Sequence, residues 1–239
     1  MRLACLPGAG MSAGSGIPTF RDAPTGLWAR FDPAELATPA AFVRDPALVW
    51  GWYRWRAAMV RRAAPNAGHV AIASAAAMGH SVAVVTQNVD DLHERAGAQP
   101  VVHVHGSLFA SRCMDCGATR SPDPILEGIE DITTGAREPA PRCEACGGRF
   151  RPGVVWFGEA LPDAAWSAAV AAMEDCELLV VVGTSGLVQP AASLPLLARE
   201  RGARVVEINP VDSAVSALAH QRLRMPAATG IPTLLATLR

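Results

Sequence analysis

The run Leu178-Leu179-Val180-Val181-Val182 restricts the fold of this chain more than any other segment. Five consecutive apolar residues, three of them β-branched, leave no polar face for water. Such a strand is buried on both sides, which is the situation in a parallel sheet covered by helices. Residues 3–6, 81–86 (SVAVVT), 101–104 and 204–208 read as further strands. Between them lie helix-like stretches at 66–78, 163–174 and 190–201, and a short closing helix at 231–238. Strands alternating with helices predict an α/β fold, a Rossmann-like doubly wound parallel sheet.

Two tracts interrupt the alternation. Residues 32–65 are rich in Arg and Trp and are punctuated by Pro33, Pro39 and Pro46, so they read as a broken helical insertion. Residues 109–152 are polar and cannot build a core of their own. The expected organisation is one large domain (1–31, 66–108 and 153–239) and a smaller lobe made of the helical insertion 32–65 and the module 109–152. Residues 154–157 read as extended.

The module carries Cys113-x-x-Cys116 and Cys143-x-x-Cys146. A C-x-x-C loop lets two thiolates meet one ion, and two such loops close a tetrahedral four-sulfur site. Gly117 and Gly147 follow the second cysteine of each pair and suit the tight turn of a knuckle. Structural zinc is the expected occupant and the staple for a polar segment. Two redox dithiols would use the same spacing. Cys5 and Cys176 sit in apolar contexts and read as inert buried thiols.

Composition removes several function classes. With 21 basic and 22 acidic residues the net charge is −1, which offers no broad basic face for nucleic acid. No apolar run approaches ~20 residues, so no membrane span is expected. The first residues are too short an apolar stretch for a signal peptide, so a cytoplasmic protein, read as a monomer, is expected. All 21 basic residues are arginine. A chain without lysine has no P-loop lysine, so a Walker-type nucleotide hydrolase is excluded. The loop Gly8-Ala9-Gly10 after the first strand is still suited to cradle a phosphate with backbone N–H groups.

Extended along the chain, that loop becomes one of six ordered blocks: residues 8–21 (GAGMSAGSGIPTFR), Thr86-Gln87-Asn88-Val89-Asp90, His103-Val104-His105-Gly106, Val155-Trp156-Phe157-Gly158-Glu159, Gly183-Thr184-Ser185 and Glu207-Ile208-Asn209. The four cysteines fall between the third and fourth. In this order the chain resembles the sirtuins, NAD-dependent protein lysine deacylases, from Gly8 to about Ala227. The resemblance implies NAD as cosubstrate, acyl-lysine proteins or peptides as partners, and nicotinamide and O-acyl-ADP-ribose as products. It makes His105 the general base that activates a ribose hydroxyl, and Asn88 the group that orders the ribose or a water.

The same resemblance distributes the cofactor contacts. Gly8, Ala9, Gly10 and Ser12 would form the phosphate loop. Asp90 and the Ile17 backbone would hold the nicotinamide carboxamide, flanked by Gln87 and Val89. Phe20 would shield the reacting carbon from water, Arg21 would contact phosphate or position the loop, and Trp28 would line the cofactor. Gly183, Thr184 and Ser185 suit a second phosphate and ribose contact; Asn209, Pro210, Val211 and Ala227 fall at the adenosine end. Residues Val155, Trp156, Phe157, Gly158 and Glu159 would pair with the substrate backbone as an added strand.

Tyr53 and Arg56 stand three apart and share a face if helical. This Tyr-x-x-Arg is similar to the pair in sirtuins that remove succinyl and malonyl groups, and a guanidinium beside a phenol is a sensible clamp for a distal carboxylate. Ala23 is small enough to widen that pocket. Two positions depart from the family pattern, both near the phosphate loop: Pro7 where Thr is usual and Gly14 where Glu is usual. A protein ADP-ribosyltransferase on the same scaffold and a non-catalytic NAD and zinc sensor are the alternatives. Tyr53 with Arg56 argues against the first, and His105 with Asn88 and Asp90 against the second.

Overall fold

The computed structural model describes residues 1–18, 36–133 and 135–238. Strands β1 (Arg2–Pro7), β2 (Ser81–Thr86), β3 (Val101–His103), β6 (Leu178–Val182), β7 (Arg204–Ile208) and β8 (Gln221–Leu223) form one sheet in the order β3-β2-β1-β6-β7-β8. Every pairing in it is parallel. All five residues of β6 are buried, as a doubly covered central strand requires. Because successive side chains alternate faces, Leu178, Val180 and Val182 enter one core and Leu179 and Val181 the other. Helices α1 (Gly10–Ala13), α4 (Ala67–Ala77) and α8 (Ala227–Ala236) contribute Met11, Ile72 and Ile231 to the first. Helices α6 (Asp163–Asp175) and α7 (Leu194–Glu200) contribute Met173 and Leu194 to the second.

A third core forms the smaller lobe. It joins Phe42, Trp50 and Trp52 from helices α2 (Pro39–Arg44) and α3 (Pro46–Arg62) to Leu108, Phe150 and Val154 from the antiparallel pair β4 (Gly106–Cys113) and β5 (Phe150–Val154). Pro39 and Pro46 divide this segment as expected, and each also starts a helix. A first-turn proline has no donor to lose, and Thr38 and Asp45 supply the caps, accepting from Ala41 N and Leu48 N at 3.1 Å. Arg54, buried on α3, ties the lobe together. It pairs with Glu138 and donates to the carbonyls of Ile125 and Glu127.

Several boundaries differ from the sequence reading. β3 ends at His103, and β5 ends at Val154, so residues 155–157 lie beyond the strand. The stretch 190–201 is a 3₁₀ turn (Ala191–Ser193) followed by α7, and the last helix starts at Ala227, four residues ahead of the expected 231. α1, β8 and helix α5 (Leu92–Arg95) are short elements with no periodic signal. No helix among the described residues is long and apolar enough to cross a membrane.

Candidate active site

Strand order reverses between β1 and β6, and at such a point the loops leaving the carboxyl ends diverge into a crevice. Here the two loops touch backbone to backbone. Gly8 N donates to Val182 O at 2.9 Å and Gly10 N to Gly183 O at 2.8 Å. A Cβ on Gly10 would lie 2.8 Å from Gly183 Cα, and Gly183 has a φ of +60°, so neither position accepts a side chain. Asn66, which caps α4, donates from Nδ2 to Met11 O (2.9 Å) and Ser15 Oγ (3.1 Å) and pins the loop from behind. The departures at Pro7 and Gly14 are accommodated. The Pro7 carbonyl accepts from Gln87 N at 3.0 Å, and a Cβ at Gly14 would make ordinary 3.5 Å contacts with Ala228 and Asn66.

Across the crevice lies a buried polar cluster. Ser12 Oγ donates to Asp90 Oδ2 at 2.9 Å, and Asn88 Nδ2 reaches Ser12 Oγ at 3.3 Å. Asp90 Oδ1 accepts from Leu92 N at 3.2 Å, so this carboxylate also shapes the turn into α5. Burial raises the Asp90 pKa above its ordinary 3.8, opposed by those two donors and by the charge of His103. Gln87 Nε2 reaches over to Thr184 Oγ1 at 3.2 Å, and Asn209 Nδ2 donates to Thr184 O at 2.9 Å.

The pKa values of the two histidines of the third block are shifted in opposite directions. His105 lies in the turn between β3 and β4, with Nδ1 2.9 Å from the Gln87 carbonyl. A carbonyl only accepts, so Nδ1 carries the proton and Nε2 the lone pair. Burial lowers the His105 pKa below 6.5 despite that bond, which keeps the ring neutral near pH 7. His103 has Nδ1 3.1 Å from Asn88 O and Nε2 2.6 Å from Glu94 Oε1. Burial pulls its pKa down, but the Glu94 bond and charge and the Asn88 carbonyl outweigh it, so His103 is raised, and both of its nitrogens face acceptors. Of these two, His105 is the one whose second nitrogen is not turned to an acceptor among the described residues.

The remaining expected residues fall around this centre. Ser185 follows Thr184; Pro210 and Val211 are exposed beyond β7; Ala227 is buried at the start of α8. The Ile17 N–H is already given to Ser12 O at 3.3 Å, which leaves its carbonyl. Phe20, Arg21, Ala23 and Trp28 lie outside the described residues. Beyond β5, Val155 N donates to His105 O (2.8 Å) and Phe157 N to Ala37 O (2.9 Å). The Trp156 and Glu159 side chains turn inward, Glu159 onto the buried Arg151. The carbonyls of Val155 and Phe157 accept nothing from the described residues.

On α3, Arg56 lines a small cavity with Ile17, Pro18, Trp52, Trp55 and Met59. Tyr53 stands beside it, 3% exposed, with its ring 5.6 Å from the guanidinium carbon. Burial lowers the Arg56 pKa, opposed by the Tyr53 phenol and the Asp90 carboxylate.

The four module cysteines bring their sulfurs within 4.8 Å of one another, with Cys113 to Cys146 at 3.5 Å and Cys116 to Cys143 at 3.8 Å. A tetrahedral site with metal–sulfur bonds of ~2.3 Å needs sulfurs ~3.8 Å apart, so the donor set fits zinc. Gly117 N and Gly147 N close each knuckle onto Cys113 O and Cys143 O, with a φ of +74° at both glycines.

A family model described as Sir2 matches residues 8–190. The chain belongs to the Sir2 family. Among relatives of this Sir2 protein, the NAD-dependent protein deacylase 1 of Pseudomonas aeruginosa is 59% identical over 209 residues, covering 87% of this chain and 83% of the relative. The NAD-dependent protein deacylase of Methylococcus capsulatus is 52% identical over 238 residues, covering 99% and 92%. A solved Sir2 homologue in complex with NAD superposes with a TM-score of 0.89 at 44% identity, over 100% of this chain and 89% of that one. A Sir2 protein holding a deacetylated p53 peptide and 3′-O-acetyl ADP-ribose matches with a TM-score of 0.83 at 29% identity, covering 99% and 93%.

Sequence reasoning did not find three supports of the Sir2 site: Glu94 under His103, Asn66 behind the glycine loop, and Arg151 under Trp156. Asn66 had a local signal as a helix cap. The other two depend on which faces the fold brings together.

Proposed function

We propose that the chain removes acyl groups from lysine side chains of proteins or peptides at the expense of NAD, giving nicotinamide and O-acyl-ADP-ribose. One observation carries this reading: a neutral histidine, His105, has Nδ1 committed to a backbone carbonyl beside the Ser12–Asn88–Asp90 cluster at the sheet's switch point. The relatives named as NAD-dependent deacylases support it.

The donor set suits a dinucleotide. Gly8, Ala9, Gly10 and Ser12 with Gly183, Thr184 and Ser185 would hold the diphosphate. Asn209, Pro210, Val211 and Ala227 would meet the adenosine end, and Gln87, Asn88 and Val89 the second ribose. The Ile17 carbonyl and Asp90 would hold the carboxamide. NAD supplies a ribosyl carbon that accepts the acyl oxygen as nicotinamide departs. His105 Nε2 takes the proton of a ribose hydroxyl, a task suited to an unprotonated imidazole near pH 7. The Gln87 carbonyl stabilises the imidazolium that results. The carbonyls of Val155 and Phe157 would bind the peptide backbone. Zinc at Cys113, Cys116, Cys143 and Cys146 would hold the smaller lobe and take no part in proton transfer.

Succinyl and malonyl groups are substrates alongside acetyl in this reading. Its support is the half-buried Arg56 guanidinium in the small cavity beside Tyr53. The test incubates the protein with NAD and matched acetyl-, succinyl- and malonyl-lysine peptides, followed by mass spectrometry. Absence of nicotinamide release with every peptide would overturn the deacylase. ADP-ribose attached to protein in place of O-acyl-ADP-ribose would favour the transferase. Fast deacetylation without desuccinylation would remove the acidic-acyl specificity alone.

A further inference from the structure

Trp156 sits where β5, α2 and α3 meet, and its indole Nε1–H donates to the Tyr53 hydroxyl at 3.0 Å. An indole nitrogen can only donate, so the phenol oxygen is the acceptor. The phenol's own proton is thereby left for a second acceptor.

The indole is held by two neighbours. The Arg151 guanidinium carbon lies 3.5 Å from its ring centroid, and the Phe42 ring packs 5.5 Å away. Arg151 is itself buried, and a buried charge persists only when its donors are satisfied. It donates to Val154 O (2.8 Å), to Pro152 O (3.2 Å) and to both oxygens of Glu159. Glu159 Oε2 also accepts the Trp156 backbone N–H at 2.8 Å. Side chain and backbone of Trp156 are thus fixed by one network that ends on the Tyr53 oxygen, 103 residues away in sequence.

We propose that Trp156 is a positioning residue for acyl selectivity: it orients the Tyr53 phenol so that its O–H is offered to the distal carboxylate of an acidic acyl chain beside Arg56. This rests on the acidic-acyl reading of the site. An acetyl group has no carboxylate, so the direction of that proton does nothing for it. The selectivity step is a hydrogen bond to a charged acceptor, whose loss amounts to roughly tenfold in affinity.

The experiment measures KM and kcat with succinyl- and acetyl-lysine peptides for the full chain, Trp156→Phe, Tyr53→Phe and the double variant. Trp156→Phe is expected to raise the desuccinylation KM roughly tenfold more than the deacetylation KM, with the kcat ratio of the two reactions little altered. The double variant is expected to be no more impaired in desuccinylation than Tyr53→Phe alone, because Trp156 acts through the hydroxyl. Benzothienylalanine placed at position 156 keeps the shape, deletes the N–H and should reproduce the Trp156→Phe effect. Equal losses in both reactions, additive losses in the double variant, or full desuccinylation with the benzothienyl group would overturn the proposal. A parent protein that desuccinylates while these variants lose both reactions alike retires Trp156 and keeps the acidic-acyl reading. A parent that never desuccinylates retires both.

Discussion

The assignment of His105 as base makes a prediction about the direction of a pH profile. Burial lowers its pKa below 6.5, so the neutral, active ring survives further into acid than an ordinary histidine. The acid limb of kcat/KM should therefore have its midpoint below 6.5. His103 titrates the other way: Glu94 and the Asn88 carbonyl raise it, so it stays charged above the ordinary value. A limb displaced above 6.5 would point to His103. Asp90, whose pKa is also raised, is the other group able to produce an acid limb. The variant His105→Asn separates them. Removing a general base costs on the order of 10²–10⁴ in rate, about 2.7–5.4 kcal/mol of barrier at ~1.36 kcal/mol per decade. The residual activity of His105→Asn should lack the limb altogether. The assay is acetyl-lysine peptide turnover between pH 5 and 9 in constant-ionic-strength buffer, with product and nicotinamide followed separately. A limb that persists in His105→Asn, or a parent midpoint above 6.5, would refute the assignment.

Three other outcomes can be checked. Cys143→Ser should leave fewer than one zinc per chain by elemental analysis and lower the Tm of the smaller lobe; stoichiometric zinc in that variant would contradict the four-sulfur site. Gly183→Ala should weaken NAD binding at least tenfold by calorimetry, because its Cβ would lie 2.5 Å from Gly10 C and Met11 N at a φ of +60°; unchanged affinity would mean the loops do not interlock as described. His69 and His93, packed edge to face at 4.7 Å, are pushed by burial down to about 4 and about 3 from 6.5. Their contribution to stability is complete above pH 6.5 and is lost as pH falls toward those values, because the unfolded chain takes up the protons first. Each group contributes a slope of up to ~1.36 kcal/mol per pH unit. Urea midpoints should fall steadily from pH 6.5 to 4.5, and less steeply in His93→Gln; a flat profile would count against this.

Five of the six strands of the sheet were legible because β6 and its neighbours are written in apolar, β-branched residues, and burial leaves a one-dimensional signal; the edge strand β8 was not. The four cysteines were equally plain. Residues whose roles depend on facing elements were not. His103 and His105 look alike in sequence, and it is Glu94 and the Asn88 carbonyl that raise the pKa of one, while burial lowers that of the other. Trp156 and Glu159 were read as part of a peptide-binding edge. Their side chains turn inward because Arg151, buried beneath them, needs a carboxylate and a π face. Pro39 and Pro46 were rightly read as interruptions; that each also initiates the next helix depends on the caps that Thr38 and Asp45 provide. The two loops that meet at Gly10 and Gly183 lie far apart in the chain, so their mutual demand for glycine was invisible until the sheet brought them together.

The smaller lobe takes its core from two stretches far apart in the chain, and Arg54 finds Glu138 84 residues downstream. During vectorial synthesis α3 leaves the ribosome with Trp50 and Trp52 uncovered. At ~5–20 residues per second it waits roughly 4–17 s for the segment that will cover them. The last cysteine pair emerges at the end of that interval, so metal capture closes the lobe instead of starting it. In a zinc-starved cell the expected species is half-made, with the sheet assembled and two tryptophans still offered to chaperones.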